Sequence, residues 1–123
     1  MSGRPHKNLE VWKESIELVQ VLYKILKNFP IEEKYGIISQ LKRAAISVPS
    51  NISEGAARKT DKEMYQFLSI AAGSLSEIDT LLEISKRLEL LNDDDHKVLF
   101  EKVEKIDALL RGLMKRIKTK INS

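Results

Sequence analysis

Residues 99–121, LFEKVEKIDALLRGLMKRIKTKI, decide the fold. Leu99, Val103, Ile106, Leu110, Leu113, Ile117 and Ile121 recur at spacings of three and four, so they form one apolar stripe along a helix. Such a helix needs other apolar faces to cover its stripe, and three more lie upstream. Asn92 is placed to cap this last helix, and Asp93, Asp94 and Asp95 suit the positive end of its dipole. Before it, Thr60 and Glu63 form a capping box ahead of Met64, Phe67, Leu68, Ala71, Leu75, Ile78, Leu82 and Ser85. A second segment carries Tyr35, Ile38, Leu41, Ala45, Val48 and Ile52, with Pro49 inside it predicting a kink. The first segment shows a stripe of Leu9, Trp12, Ile16, Val19, Leu22 and Leu26, widened by Val11, Leu18, Val21 and Ile25. It stops near Asn28, because Phe29 precedes Pro30.

No segment alternates with period two, so the chain reads as all-α. The expected helices cover about 9–28, 31–57, 61–90 and 93–120. Their short connections predict an antiparallel up-down-up-down four-helix bundle, one domain over residues 1–123. The chain has 123 residues, with 42% hydrophobic and 32% charged side chains, which argues against disorder. Without cysteine, disulfide and thiolate chemistry are excluded. The longest uncharged stretch, Met64 to Ser76, is too short to span a bilayer, and MSGRPHKN lacks a signal-peptide core; both predict a cytoplasmic protein.

Catalytic motifs are not found. The two histidines, His6 and His96, have no nucleophile and orienting group arranged around them in sequence. Asp93-Asp94-Asp95-His96 lacks the alternating ligands and glycine of a calcium loop and reads as a cap. There is no Walker loop, no GxGxxG and no paired ExxH. A non-enzymatic protein without metal or cofactor is expected.

Two features remain. Gln40, Arg43, Ser47, Asn51 and Glu54 form a polar ridge on the second helix, readable either as a solvated face or as a hydrogen-bonded ridge that fixes register or assembly. Pairing the second and third helices about Lys59 sets Ala45 opposite Gly73 and Arg43 near Ser74 and Glu77. This predicts an Arg43–Glu77 ion pair, within the chain or across a subunit contact, and a close crossing of Gly73 against Ala44 or Ala45. The second feature is charge. Residues 108–123 carry Arg111, Lys115, Arg116, Lys118 and Lys120 and no acid, so the rest of the chain is net acidic. Alternating helix direction brings that tail beside Arg4, Lys7, Arg58, Lys59 and Lys62, against only Glu10, Glu54, Asp61 and Glu63. Such a basic end suits a phosphate backbone, although cations at a helix C-terminus are favourable without any partner. No aromatic residue interleaves with these cations, so base stacking is not expected and binding should be sequence-poor and salt-dependent.

QLKRAAISVPSNISEG (Gln40 to Gly55), LEVWK (Leu9 to Lys13), Phe67-Leu68 and GSLSE (Gly73 to Glu77) together resemble the signature of the 23S rRNA intervening-sequence protein family. The resemblance implies a left-handed four-helix bundle assembled as a homopentamer. The family is related to the accessory variability protein of diversity-generating retroelements, which implies RNA or DNA and a reverse transcriptase or other protein as partners to consider. It also favours an assembly role for the ridge together with Ser74 and Glu77. A scaffold ring with no nucleic-acid role is the alternative.

Overall fold

The computed structural model describes residues 5–123. Four helices form the bundle: α1 (Glu10–Leu26), α2 (Ile37–Ala56), α3 (Asp61–Arg87) and α4 (Asp93–Ile121). Short 3₁₀ turns at Pro5–Asn8 and Ile31–Glu33 precede α1 and α2. Direction alternates. On α1 and α4, Lys105 Nζ lies 3.2 Å from Glu14 Oε2 and Lys102 Nζ lies 3.6 Å from Glu17 Oε1, so advancing along one helix means retreating along the other.

The core is the sum of the four stripes. Leu99, Val103, Ile106, Leu110, Leu113 and Ile117 are buried on α4, and they meet Leu68, Ala71, Leu75, Ile78 and Leu82 of α3 and Leu41, Ala45, Val48 and Ile52 of α2. Each fully buried leucine or isoleucine is worth about 1.5–3 kcal/mol relative to exposure. On α1 the centre of the stripe is Val11, Ser15, Leu18, Leu22 and Leu26, whereas Trp12, Ile16 and Val19 are half-buried on its flank. Ser15 masks that seam in the sequence. It tolerates burial by donating its hydroxyl to the Trp12 carbonyl at 2.7 Å, and buried Ser85 does the same to the Leu81 carbonyl at 2.8 Å.

Helix ends follow local chemistry. Glu63 N–H donates to Thr60 Oγ1 at 3.2 Å and Asp95 N–H donates to Asn92 Oδ1 at 2.7 Å, so both predicted caps form. Helix α2 starts at Ile37 rather than 31, because the chain needs residues 29–36 to turn from α1 into α2. Phe29 is buried as the plug of that turn and Gly36 ends it. Tyr35 is therefore no core residue; it is 89% exposed. Pro49 is buried inside α2, and the helix continues on both sides of it. Helix α3 ends at Arg87, earlier than 90. The Leu90 N–H donates back to the Ser85 carbonyl at 2.9 Å across Glu89, whose φ of 62° is left-handed. That is a Schellman end with glutamate where glycine is usual.

Candidate nucleic-acid interface

One pole of the bundle collects the start of α1, the α2–α3 connection and the end of α4. Lys118 Nζ of α4 lies 5.6 Å from the Tyr65 ring centroid at the start of α3. A groove shared by Leu9 and Glu10 with Gly112 and Arg116 joins α1 to α4, and one shared by Pro5 and His6 with Ala57 and Arg58 joins the 3₁₀ turn to the end of α2.

Of the ten cations expected at this pole, Arg4 lies outside the described residues. Lys7, Lys59, Lys62, Lys115, Arg116, Lys118 and Lys120 are exposed and have no carboxylate partner among the described residues. Two arginines differ. Arg58 pairs with the Glu54 carboxylate and donates Nε to the Glu54 carbonyl at 3.2 Å. Arg111 Nε donates to Asp107 Oδ2 at 2.8 Å. Arg111 stands ten residues before the end of α4, roughly 15 Å at 1.5 Å per residue and level with the start of α1, so its pairing rather than its position sets it apart from the other cations. Both pairs follow an i,i+4 acid-to-arginine spacing that is visible in the sequence.

Aromatic rings do lie among these cations. The Arg58 guanidinium sits 5.0 Å from the Phe67 ring centroid, and Lys118 covers Tyr65. Reading along the chain misses this, because Lys118 and Tyr65 meet only through the packing of α4 on α3.

The polar ridge is divided. Ser47 Oγ and Ser74 Oγ are 2.8 Å apart, linking α2 to α3, and Asn51 Nδ2 donates to the Ser47 carbonyl at 2.8 Å and to Ser47 Oγ at 3.0 Å. These three residues are half-buried, whereas Gln40, Arg43, Glu54 and Glu77 are exposed. No Arg43–Glu77 ion pair forms within the chain among the described residues. The Ser47–Ser74 contact centres the α2–α3 pairing between Thr60 and Asp61, beyond Lys59. The predicted Gly73 crossing is also absent: a Cβ there would meet no heavy atom within 4 Å. Gly73 is two residues, about 200°, from both Ala71 and Leu75, and so faces away from the core they define. The close crossing is at Gly55, where a Cβ would stand 3.1 Å from Phe67 Cβ and 3.2 Å from the Met64 carbonyl oxygen.

At the opposite pole, charges mix around the α3–α4 connection. Arg87 Nε donates to Glu83 Oε2 at 2.9 Å, and His96 Nε2 lies 3.8 Å from Glu83 Oε1. The Arg87 hydrogen bond holds the Glu83 carboxyl below its ordinary pKa, opposed by desolvation and aided by the charges of Arg87, Lys86 and His96. Among the described residues no helix is long and apolar enough to cross a membrane, and no three His, Asp or Glu side chains are grouped to hold a metal ion.

The chain is similar to a crystal structure from Bacteroides thetaiotaomicron described as a protein of unknown function from the S23 ribosomal protein family. The TM-score is 0.78 at 21% identity, covering 85% of this chain and 95% of that one, which establishes the shared fold. No curated protein matches the chain. The family model for 23S rRNA-intervening sequence proteins matches residues 7–112, nearly the whole bundle. The chain therefore belongs to the 23S rRNA-intervening sequence protein family.

Proposed function

We propose that this protein is a non-enzymatic, cytoplasmic homopentamer that binds RNA or DNA through its basic pole without reading base sequence. The observation that carries the reading is the set of seven exposed cations with no carboxylate partner among the described residues, from Lys7, the α2–α3 connection and the last turns of α4, gathered around one pole. Unpaired lysines and arginines can exchange counterions for phosphates with no internal ion pair to break first. Tyr65 and Phe67 already carry cations on their faces, so phosphate contact supplies the affinity and stacking is secondary.

Assembly has its own support on the outer side of α2 and α3. Ile46 and Ile70 are 45% and 52% exposed, Gly73 presents bare backbone, and Arg43 and Glu77 have no charged partner among the described residues. A neighbouring copy could cover this face and complete an Arg43–Glu77 pair between subunits. The second reading is a scaffold ring that binds a reverse transcriptase or another protein. It is favoured by the position of Lys115, Arg116, Lys118 and Lys120, where they also offset the dipole of α4.

Titrating labelled single- and double-stranded oligonucleotides across salt separates the readings. With about six phosphate contacts, affinity should fall roughly a thousandfold between about 50 and 200 mM salt. Reversing Lys115, Arg116 and Lys118 to glutamate should abolish binding. Absence of binding at low salt, or unchanged affinity in the reversed protein, refutes the nucleic-acid assignment, and native mass spectrometry tests the pentamer.

A further inference from the structure

At the end of the bundle away from the basic pole, the turn from α1 to α2 displays Ile31 and Tyr35, which are 79% and 89% exposed. No other large apolar side chain among the described residues is as exposed. Ile31 borders an open groove of about 400 Å³ between α1 and α2. Leu26, Phe29 and Ile38 contribute to it and are themselves buried. Lys27, Lys34 and Lys42 also line it, and no carboxylate does. None of these lysines has an acidic partner among the described residues. Two of them rest near aromatic rings instead: Lys42 Nζ is 4.7 Å from the Tyr23 centroid and Lys34 Nζ is 5.6 Å from that of Tyr35. The nearby acids do not neutralise the groove. Glu33 holds its carboxylate beside Gly36, 3.5 Å from where a Cβ would stand, and Glu32 is exposed outside the lining.

We infer that this groove docks a short segment of a partner protein that combines carboxylates with large apolar side chains. Charge complementarity selects the partner: three lysines without counter-charge surround an apolar floor, so the occupant must supply both acids and apolar anchors. A nucleic acid would satisfy the lysines and leave Leu26, Phe29, Ile31 and Ile38 facing a polyanion. A small ligand would need enclosure, but Ile31 and Tyr35 stand out from the surface and the groove is open.

The test uses a fluorescein-labelled amphipathic peptide with glutamates on one face and leucine and phenylalanine on the other. Its control is the same peptide with every glutamate replaced by lysine. Anisotropy with the full chain should show the acidic peptide binding at least about tenfold tighter than the control. That preference should be lost in Ile31→Ser/Tyr35→Ser, whose exposure protects folding, and in Lys27→Glu/Lys34→Glu. Lys115→Glu/Lys118→Glu at the other pole should leave it unchanged. Equal affinity for the two peptides, or undiminished binding in both groove variants, overturns the inference. So does displacement of the peptide by a single-stranded oligonucleotide, or a smaller native mass for Ile31→Ser/Tyr35→Ser, which would assign the groove to a second copy of the chain.

Discussion

Two glycines inside helices should respond to the same substitution with opposite signs. Replacing either by alanine removes the helix penalty of glycine, about 1 kcal/mol in an exposed helix interior. At Gly73 nothing lies within 4 Å of the new methyl, so Gly73→Ala should stabilise the isolated chain by about that amount. At Gly55 the methyl would stand 3.1 Å from Phe67 Cβ and 3.2 Å from the Met64 carbonyl oxygen. Neither is the free end of a flexible side chain, so α2 and α3 must separate slightly. Overpacking of this kind destabilises by about 1–3 kcal/mol. Gly55 also lies one residue before the end of α2, where the propensity gain is smaller. A net loss of about 1–2 kcal/mol follows. In a bundle of this size 1 kcal/mol corresponds to about 4 °C in Tm. Thermal denaturation followed by circular dichroism, at dilutions that keep the chain monomeric, should place Gly73→Ala about 4 °C above the parent and Gly55→Ala about 4–8 °C below it. A raised Tm for Gly55→Ala, or a lowered one for Gly73→Ala in the monomer, refutes the packing argument. If Gly73→Ala raises monomer stability and weakens assembly, the bare backbone of α3 is an intersubunit contact.

Within the basic pole, Lys118→Gln should weaken nucleic-acid binding and reduce the salt slope by about one, whereas Arg111→Gln, already paired with Asp107, should change neither; equal effects in oligonucleotide titrations would contradict the division into free and paired cations. Glu89→Gly should raise the urea midpoint, by about 1 kcal/mol of stability, because glycine holds the left-handed φ of 62° without strain; an unchanged midpoint would show that the turn is not strained by its glutamate. The Glu83 carboxyl is depressed in the folded chain, so its contribution is present above the ordinary carboxylate range and fades as pH falls through the folded value. It is small, because the pair with Arg87 is exposed. An NMR titration should find Glu83 protonating at higher pH in Arg87→Gln, and coincident curves would remove Arg87 as the cause.

Most of the fold was legible because the core stripes of α2, α3 and α4 are aliphatic at helical spacing and two of the helices carry side-chain caps. It was least legible where a polar residue is in the core or an apolar one is outside it. Ser15 hides the centre of the α1 stripe, since its hydroxyl is satisfied by the preceding turn rather than by water. Tyr35 continues the apolar spacing of α2 backwards into a turn, where geometry rather than composition decides its exposure. Gly73 and Gly55 look alike in sequence, and only the direction each faces separates a bare surface from a tight crossing. Tyr65 follows Lys62 by three residues and so already stood beside the basic pole in the sequence, whereas its contact with Lys118 and that of Phe67 with Arg58 arise only from helix packing.

The freedom of the terminal cations, by contrast, is written into the sequence. An exposed helical cation is most readily neutralised by an acid one turn earlier, as in Glu54–Arg58, Glu83–Arg87 and Asp107–Arg111. Four residues before Lys115, Arg116, Lys118 and Lys120 stand Arg111, Gly112, Met114 and Arg116, and none carries a carboxylate. Three residues before them stand Gly112, Leu113, Lys115 and Ile117, with the same result. No rotamer change along α4 can therefore silence these charges. Cross-helix relief would have to come from Glu10, Asp61 or Glu63, and Glu63 is already engaged with Thr60 at 3.0 Å. The helix dipole disfavours acids only within the last turn, so a surface built for solubility gains little from withholding them over the three turns before it, because mixed charges dissolve a protein equally well. A surface that must meet a polyanion does gain, since every internal carboxylate would compete with phosphate for the same cation.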